Sequence, residues 1–469
     1  MNSINSNSER AKNPILFIFF ILTINFLLIL NVFSQVTEEW VARYNGPENG
    51  WDYAYSIAVD SSGNVYVTGE SKGIGTDFDY ATIKYNPAGV EQWVQRYNGP
   101  GNYEDWAYSI AVDGSGNVHV TGWSDGSGTS SDYATIKYNP AGVEQWIQRY
   151  NGPGNSNDWA RSIAVDGSGN VYVTGRSWGS GISNEDYATI KYNSSGLEQW
   201  VQRYNGPGSD WDYAFSIAVD GSGNVYVTGS SEGSGTASDY ATIKYNSAGV
   251  QLWASRYSGP GYVYDSAYSL AVDGSGNVYV TGVIYSSVTF DDYATIKYNS
   301  TGVRQWVSRY GGPGNSNDWA RSIAVDGSGN VYVTGSSEGS GTYYDYATIK
   351  YNPGGVQQWV QRYNGPGSGD DYADSIAVDG SGNVYVTGRS WGSGTYYDYA
   401  TIKYNPGGVQ QWVQRYNGPG SGDDYADSIA VDGSGNVYVT GYSVGSGTGS
   451  DYATIKYSQG TSISDWALY

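Results

Sequence analysis

Carboxylates, aromatic rings and one histidine are the side chains here whose types and spacing could do chemistry. An Asp stands before an aromatic or Ser residue and an Ala eight times (Asp52, Asp105, Asp158, Asp212, Asp265, Asp318, Asp371, Asp424). A second kind ends the segment SIAVD (Asp60), a third opens DYATIKY (Asp79), and against them each unit sets one Lys (Lys84 type) and one Arg (Arg96 type). Buried charges are costly unless paired, so these groups are expected to form a hydrogen-bonded ladder tying strands or units together. Catalysis would not need eight copies. Asp113-Gly114-Ser115-Gly116-Asn117 and its counterparts open like a calcium loop, but Val118 stands where the sharp-turn Gly belongs and no Glu follows at the twelfth position. A hairpin turn is the expectation there, and weak calcium binding elsewhere in the acidic loops stays open. His119 replaces the Tyr of NVYV and reads as a packing substitution; with no Cys in the chain, a His-Cys metal site and a cysteine nucleophile have no residues to build them. No catalytic residue, metal site or cofactor is assigned.

The rings are more suggestive. Trp123, Trp178, Trp391, Tyr285, Tyr343, Tyr344, Tyr396 and Tyr397, with Phe290, follow the segment VTG, and Tyr103, Tyr262 and Tyr264 lie in a second variable connection. Rings flanked by Gly, Ser and Asp suit stacking on the apolar faces of sugars or anchoring a protein, which makes the first eight the candidate ligand-binding residues. The alternative is that they fold down as local packing.

What must position these groups is a repeat. SIAVDGSGNVYVTG occurs eight times with small variations, starting at Ser56, Ser109, Ser162, Ser216, Ser269, Ser322, Ser375 and Ser428, at a period of 53 or 54 residues. Each unit reads as four short strands: a from Ser56 to Asp60, b from Asn64 to Thr68, c from Tyr80 to Tyr85 and d from Trp93 to Tyr97. The b–c connection, Gly69 to Asp79, and the d–a connection, Asn98 to Asp105, are longer and differ between copies. Neither face of strands a and b reads as a solvent face, and a four-stranded sheet covered on both sides by copies of itself is a propeller blade. The expectation is an all-β chain: a single eight-bladed β-propeller of four antiparallel strands per blade. The Trp-Val-x-Arg-Tyr motif of strand d first appears at Trp40, before any a–b–c triplet, so this N-terminal strand is expected to close the ring against Tyr452 to Tyr457, with Trp466-Ala467-Leu468-Tyr469 as a looser competitor. Strand parity puts the variable b–c and d–a loops on one rim, the candidate functional face.

Composition agrees. Gly (67) and Tyr (48) abound and aromatic residues make up 16% of the chain. Residues 1–34 read as a secretory signal, with Arg10 and Lys12 before the apolar run Ile15 to Phe33; residues 35–458 are the propeller and 459–469 a short tail. Export to the cell surface or medium follows, without membrane insertion after cleavage. The formal charge of −21 disfavours nucleic acid and anionic membrane surfaces as partners.

SIAVD, the Gly-Asn turn, VYVTG and DYATIKYN with its Gly-x-x-x-Trp turn together resemble the bacterial β-propeller repeat called SBBP, a relative of the NHL and YVTN propellers, over residues 40–458. The resemblance implies an extracellular or surface propeller and no common activity. Residues 339–388 recur unchanged as 392–441, so side chains there exist in duplicate, whereas a catalytic site needs unique groups in distinct environments. The function expected is therefore non-catalytic: a multivalent binding or scaffold module for extracellular glycan or protein. Its rivals are a quinoprotein-like oxidoreductase, because the Gly89 to Trp93 turn is similar to the tryptophan-docking motif of those propellers, and a purely structural surface or matrix protein. On this reading Trp178→Ala with Trp391→Ala weakens ligand binding while a thermal melt stays nearly unchanged; a large drop in melting temperature marks these rings as packing.

Overall fold

The computed structural model describes residues 36–459 except 181–183, 209, 261–263, 287–289, 315, 342, 368 and 421. The segment read as a signal and the competing strand at Trp466 lie outside the described residues. Among the described residues, thirty-two strands, β1–β32 in chain order, form eight four-stranded antiparallel sheets. In the first blade β2 (Asp52–Val59), β3 (Val65–Lys72), β4 (Phe78–Tyr85) and β5 (Glu91–Tyr97) play the parts of strands a to d. The a-type strands β2 and β6 (Asp105–Val112) and their equivalents pack against one another around the centre.

Strands a, b and c run further than the sequence pattern suggests, because Gly69 is not a turn. A Cβ at Gly69 would overlap the carbonyl oxygen of Tyr53 on β2, and the equivalent glycine of every blade meets the same obstacle. Pairing continues past it, Glu70 with Tyr80 and Ser71 with Asp79, so the b–c loop shrinks to the residues between Lys72 and Phe78.

The core lies between blades, not within them. Tyr66 and Tyr80 of the first blade pack with Ala107, Ile110, Val118 and Val120 of the second, and Tyr438 and Tyr452 of the last pack with Ala54, Ile57, Val65 and Val67 of the first. Inside each such interface a buried tyrosine hydroxyl donates to a backbone carbonyl of the next blade, from Tyr80 to Ala134 through to Tyr452 to Ala81, at 3.1–3.4 Å in all eight cases. Outside it, a tryptophan lies on the next blade's c–d turn: Trp40 donates to Pro87 O at 3.1 Å, and Gly89 (φ +77°) has no room for a side chain beneath the ring. The Gly-x-x-x-Trp pattern is thus an inter-blade joint.

The charge ladder forms, with one change of partner. Arg96 bonds Asp79 at 2.8 Å, the carbonyl and hydroxyl of Ser71, and Tyr44 of the preceding blade at 3.1 Å. The Arg–Asp pair recurs at 2.7–2.9 Å from Arg43–Asp451 to Arg415–Asp398. In the fifth blade Ile284 occupies the place of Ser71, and Arg309 donates to Tyr257 Oη at 2.6 Å. Lys84 takes no carboxylate; it reaches the carbonyl of Pro140 on the next blade at 3.0 Å.

The ring closes as expected, on a longer strand than the motif alone. β1 (Val36–Tyr44) pairs antiparallel with β32 (Ser450–Gln459), giving the last sheet the order β1-β32-β31-β30. Gln459, assigned above to the tail, ends that strand and accepts from Lys403 at 2.7 Å where other blades offer a turn carbonyl. Since the closing interface repeats the interior ones, Tyr452→Phe should cost about 1 kcal/mol, the usual net worth of such a hydrogen bond, and match Tyr240→Phe. Denaturant unfolding of the two variants checks this; a much smaller loss at Tyr452 would mean a ring that is effectively open.

Candidate functional site

Longer strands relocate the candidate rings. Trp123, Trp178, Tyr285, Tyr344, Trp391 and Tyr397, expected in b–c loops, sit in strands, as does Phe290 at the start of its strand; Tyr343 and Tyr396 remain in loops. Trp123 is only 6% exposed, stacked 5.7 Å from Trp159 and tilted against Trp106 at 5.2 Å. Trp391 lies edge-on to Tyr397 at 4.9 Å and covers Gly367 and Gly369. Trp178 and Tyr344 are half-buried, and Tyr285 is too; Tyr103, Tyr264, Phe290, Tyr343 and Tyr396 are exposed. Tyr262 lies outside the described residues. Exposed Trp51 and Trp211, on the same rim just before strand a, went unremarked in the sequence pattern.

The glycine that lengthens the strands also builds a site. Pairing of β2 with β3 skips one residue between Ala54 and Ser56, so Tyr55 is the extra residue of a β-bulge, and all eight a-type strands bulge at the same place. A bulge re-aims its side chain and leaves it outside the ladder. The bulged residues are Tyr55, Tyr108, Arg161, Phe215, Tyr268, Arg321, Asp374 and Asp427, and neighbours interact around the central channel: Tyr55 with Tyr108 at 5.7 Å, Arg161 over Tyr108 at 4.3 Å, Phe215 with Tyr268 at 5.5 Å, Arg321 over Tyr268 at 5.4 Å. This position directly precedes SIAVD, and it breaks the eightfold symmetry.

A second tier lies beside it, where the second residue of strand a faces the residue after the glycine: Tyr53 with Glu70, Trp106 with Trp123, Trp159 with Arg176, Tyr213 with Ser230, Ser266 with Val283, Trp319 with Ser336, Tyr372 with Arg389 and Tyr425 with Tyr442. At two places along this belt a guanidinium sits between rings. Arg176 sits 3.8 Å from the Trp159 ring and 4.8 Å from that of Tyr213, and Arg389 sits 4.4 Å from Tyr372 and 4.8 Å from Tyr425.

Pockets open at two places along the belt. One, of about 720 Å³, forms where Ser266 and Val283 replace rings; Tyr268, Phe290, Trp319 and Arg321 line it. The other, of about 700 Å³, forms between the last and first blades around Glu70, Asp427, Tyr53, Tyr55, Trp106, Tyr425 and Tyr442.

Electrostatics set the acidic sector apart. Glu70 is 2% exposed; burial pushes its carboxyl up to about 8, against the pull of Tyr55, whose hydroxyl donates to Oε1 at 2.7 Å. Burial raises Asp374 and Asp427 as well, but unequally: Arg389 and Arg321 both draw Asp374 back down, whereas at Asp427 the charge of Asp374 adds to burial and Arg389 alone opposes them. Arg389 Nη1 stands 3.8 Å from Asp374. The verbatim duplication, read above as an argument against distinct environments, is what sets two like carboxyl groups on neighbouring strands, and the unduplicated Arg389 and Tyr442 make their surroundings differ.

The remaining sequence candidates serve the scaffold. Asp60 accepts from Ser62 N, Asn64 N, Asn64 Nδ2 and Tyr66 Oη at 2.8–2.9 Å, so both oxygens are engaged by the hairpin's own donors. Those bonds outweigh burial and hold it below the ordinary Asp value. Asp105 and its equivalents Asp158, Asp212, Asp265 and Asp318 are buried, which raises them to about 6, while each accepts from a d–a loop amide, Gly99 N at 2.6 Å for Asp105. His119, fully buried, keeps the tyrosine's contact through Asp113 at 3.3 Å, and burial lowers it to about 4.

Closed blades, a repeated bulge and a symmetry-broken channel mouth define a β-propeller repeat protein. The chain belongs to the SBBP beta-propeller repeat family, whose model matches residues 39–79, 92–128, 145–182, 199–235, 252–288, 305–341, 358–394 and 411–447. An uncharacterized WD repeat-containing protein of Acanthamoeba polyphaga mimivirus is 26% identical over 410 residues, 77% of this chain; the chain spans 26% of that relative's length. Among solved structures, the β-propeller domain of the trilobed protease from Pyrococcus furiosus is similar at 9% identity and a TM-score of 0.44, covering 77% of this chain and 98% of that one. The polysaccharide lyase Uly1 is similar at 11% identity and a TM-score of 0.44, covering 90% and 98%.

The folded state holds the Glu70 proton up to about pH 8, while the unfolded chain releases it near the ordinary Glu value of 4.5. The stability this proton contributes is present below that lower value and lost as pH rises toward 8. Glu70→Gln, which keeps the shape without the charge, should therefore melt above wild type at pH 9, with the gap closing by pH 5. Thermal melts across that range test it; a constant gap would mean Glu70 does not titrate in this window.

Proposed function

We propose that this protein is an exported, non-catalytic binding propeller whose ligand site is the channel mouth on the long-loop rim, where it takes extracellular glycan or protein segments. What supports the reading is the pattern of sameness and difference. The blades repeat at their interfaces and at the short-looped rim, and they diverge at the bulge residue and along the belt, which share one mouth. Two pockets of similar size and unlike chemistry there offer rings for stacking, with arginine or carboxyl groups beside them for orientation. A rigid ring presenting both at once suits ligands that engage more than one subsite.

One observation favours a catalytic alternative: Asp374 and Asp427 are paired carboxyl groups in unlike environments, the arrangement that separates an acid from a base. Polysaccharide turnover that vanishes with Asp374→Asn would select this alternative.

The binding reading is tested by a glycan and extracellular-protein screen of the full chain, repeated with Tyr53→Ala and Trp319→Ala, one in each pocket. At least one of the two is expected to weaken a hit about tenfold or more, the scale of a lost ring at a binding hot spot, while Gln92→Ala on the opposite rim leaves it unchanged. A hit that survives both mouth variants and is lost with Gln92→Ala would move the site to the other face.

A further inference from the structure

The pocket between the last and first blades is a cage of rings holding carboxyl groups and, among its described lining residues, no Lys or Arg. Tyr442 stands edge-on to Tyr53 at 4.6 Å and to Tyr425 at 4.9 Å. Glu70 is almost wholly buried in its wall, yet only one of its oxygens is engaged: Oε1 accepts from Tyr55, and Oε2 has no hydrogen-bond partner among the described residues. Oδ2 of Asp427 is buried in the same condition. A buried acceptor without a donor calls for an explanation, and here two of them border one ring-lined pocket.

The chain itself demonstrates what the belt accepts. At the position of Glu70, the third and seventh blades carry Arg176 and Arg389, and each places its guanidinium between rings of its own blade and the next. Arg176 also pairs with Glu185 at 3.1 Å. Rings attract a cation through their electron-rich faces, and a nearby carboxylate adds to the attraction. In the first blade the rings and the carboxyl group are present, and no Lys or Arg stands among the described residues that line the pocket.

We propose that this pocket binds an organic cation, an alkylated ammonium group, with Glu70 as its counter-charge and the surrounding rings as its walls. This rests on reading the channel mouth as a ligand site and names the ligand chemistry of one of its two pockets. A bare metal ion fits less well, since no three Asp, Glu or His side chains among the described residues converge as ligands. A neutral sugar would stack on the rings and hydrogen-bond to the acid, but it brings no charge to offset a buried carboxylate. Among the groups around Glu70, Glu104 and Asp427 are acidic, Tyr53 and Tyr55 are neutral phenols, Arg96 and Arg389 act on Asp52 and Asp427, and Lys72 of the same strand pairs with Asp77 and acts on Glu104.

Titration calorimetry on the full chain with choline, against sodium chloride at equal ionic strength, tests the proposal. Saturable binding is expected at pH 9 and at least about tenfold weaker binding at pH 6, because at the lower pH the ligand must displace the proton of Glu70. The neutral isostere 3,3-dimethylbutanol should bind roughly threefold to tenfold more weakly than choline at pH 9, as the loss of charge beside rings and a carboxylate requires. Glu70→Gln should lose the pH dependence together with most of the affinity. Glu70→Arg, which copies what Arg389 does in its own blade, should fill the cage and abolish binding with an unchanged circular dichroism spectrum. Equal binding of choline and its isostere, equal binding by wild type and Glu70→Gln, or no heat at pH 9 overturns the proposal. A glycan or protein hit in the earlier screen alongside any of these results would leave the mouth standing as a ligand site and remove only the cation.

Discussion

No blade of this protein can bury its own sheet, and everything else follows from that constraint. Each hydrophobic cluster is assembled from two neighbours, so stability resides in eight interfaces and the ring must close for the last of them to form. The tyrosine hydroxyl that crosses each interface to a backbone carbonyl makes the fit specific as well as apolar. A buried hydroxyl misplaced by one residue would have no acceptor, which is costly enough to hold neighbouring blades in register. Because every interface must accept the same partner, the residues at interfaces repeat.

Variation is left to positions that no interface reads. The bulge supplies one of them in every blade, lifting its side chain out of the ladder and toward the channel. The glycine opposite is what permits it, since any side chain there would strike the carbonyl of the preceding strand. One backbone irregularity, copied eight times, thus converts a symmetric scaffold into a ring of eight variable positions, each in reach of its neighbours. The carboxyl groups gathered there are held away from their ordinary protonation by burial, a destabilising arrangement that the repeated interfaces can sustain.

Much of the scaffold could be read from the chain because it repeats. Eight copies of SIAVDGSGNVYVTG, the short turns and the stray motif at Trp40 led to blade number, strand order and closure, all of which rest on local patterns. The hydrogen-bonded ladder was legible for the Arg96 type, whose partner Asp79 sits on the adjacent strand, and not for Lys84, whose partner carbonyl belongs to the next blade. The rings were harder. Gly69 looks like a turn residue to any local reading, and taking it so moved Trp123, Tyr344 and Tyr397 into loops; its real role depends on a backbone atom of another strand.

The sequence by itself determined the repeating unit, its four strands and the number of blades, because strand alternation, turn residues and periodicity act over a few neighbouring residues. It also held the signal of the site, in the one residue before SIAVD that changes from Tyr to Arg to Phe to Asp among otherwise matching copies. Only the tertiary structure decided what that variation means. Closing the ring brings residues some fifty positions apart onto adjacent strands of one channel, so Asp374 meets Asp427, and Glu70 meets the rings of the last blade, across distances in sequence that no local pattern spans.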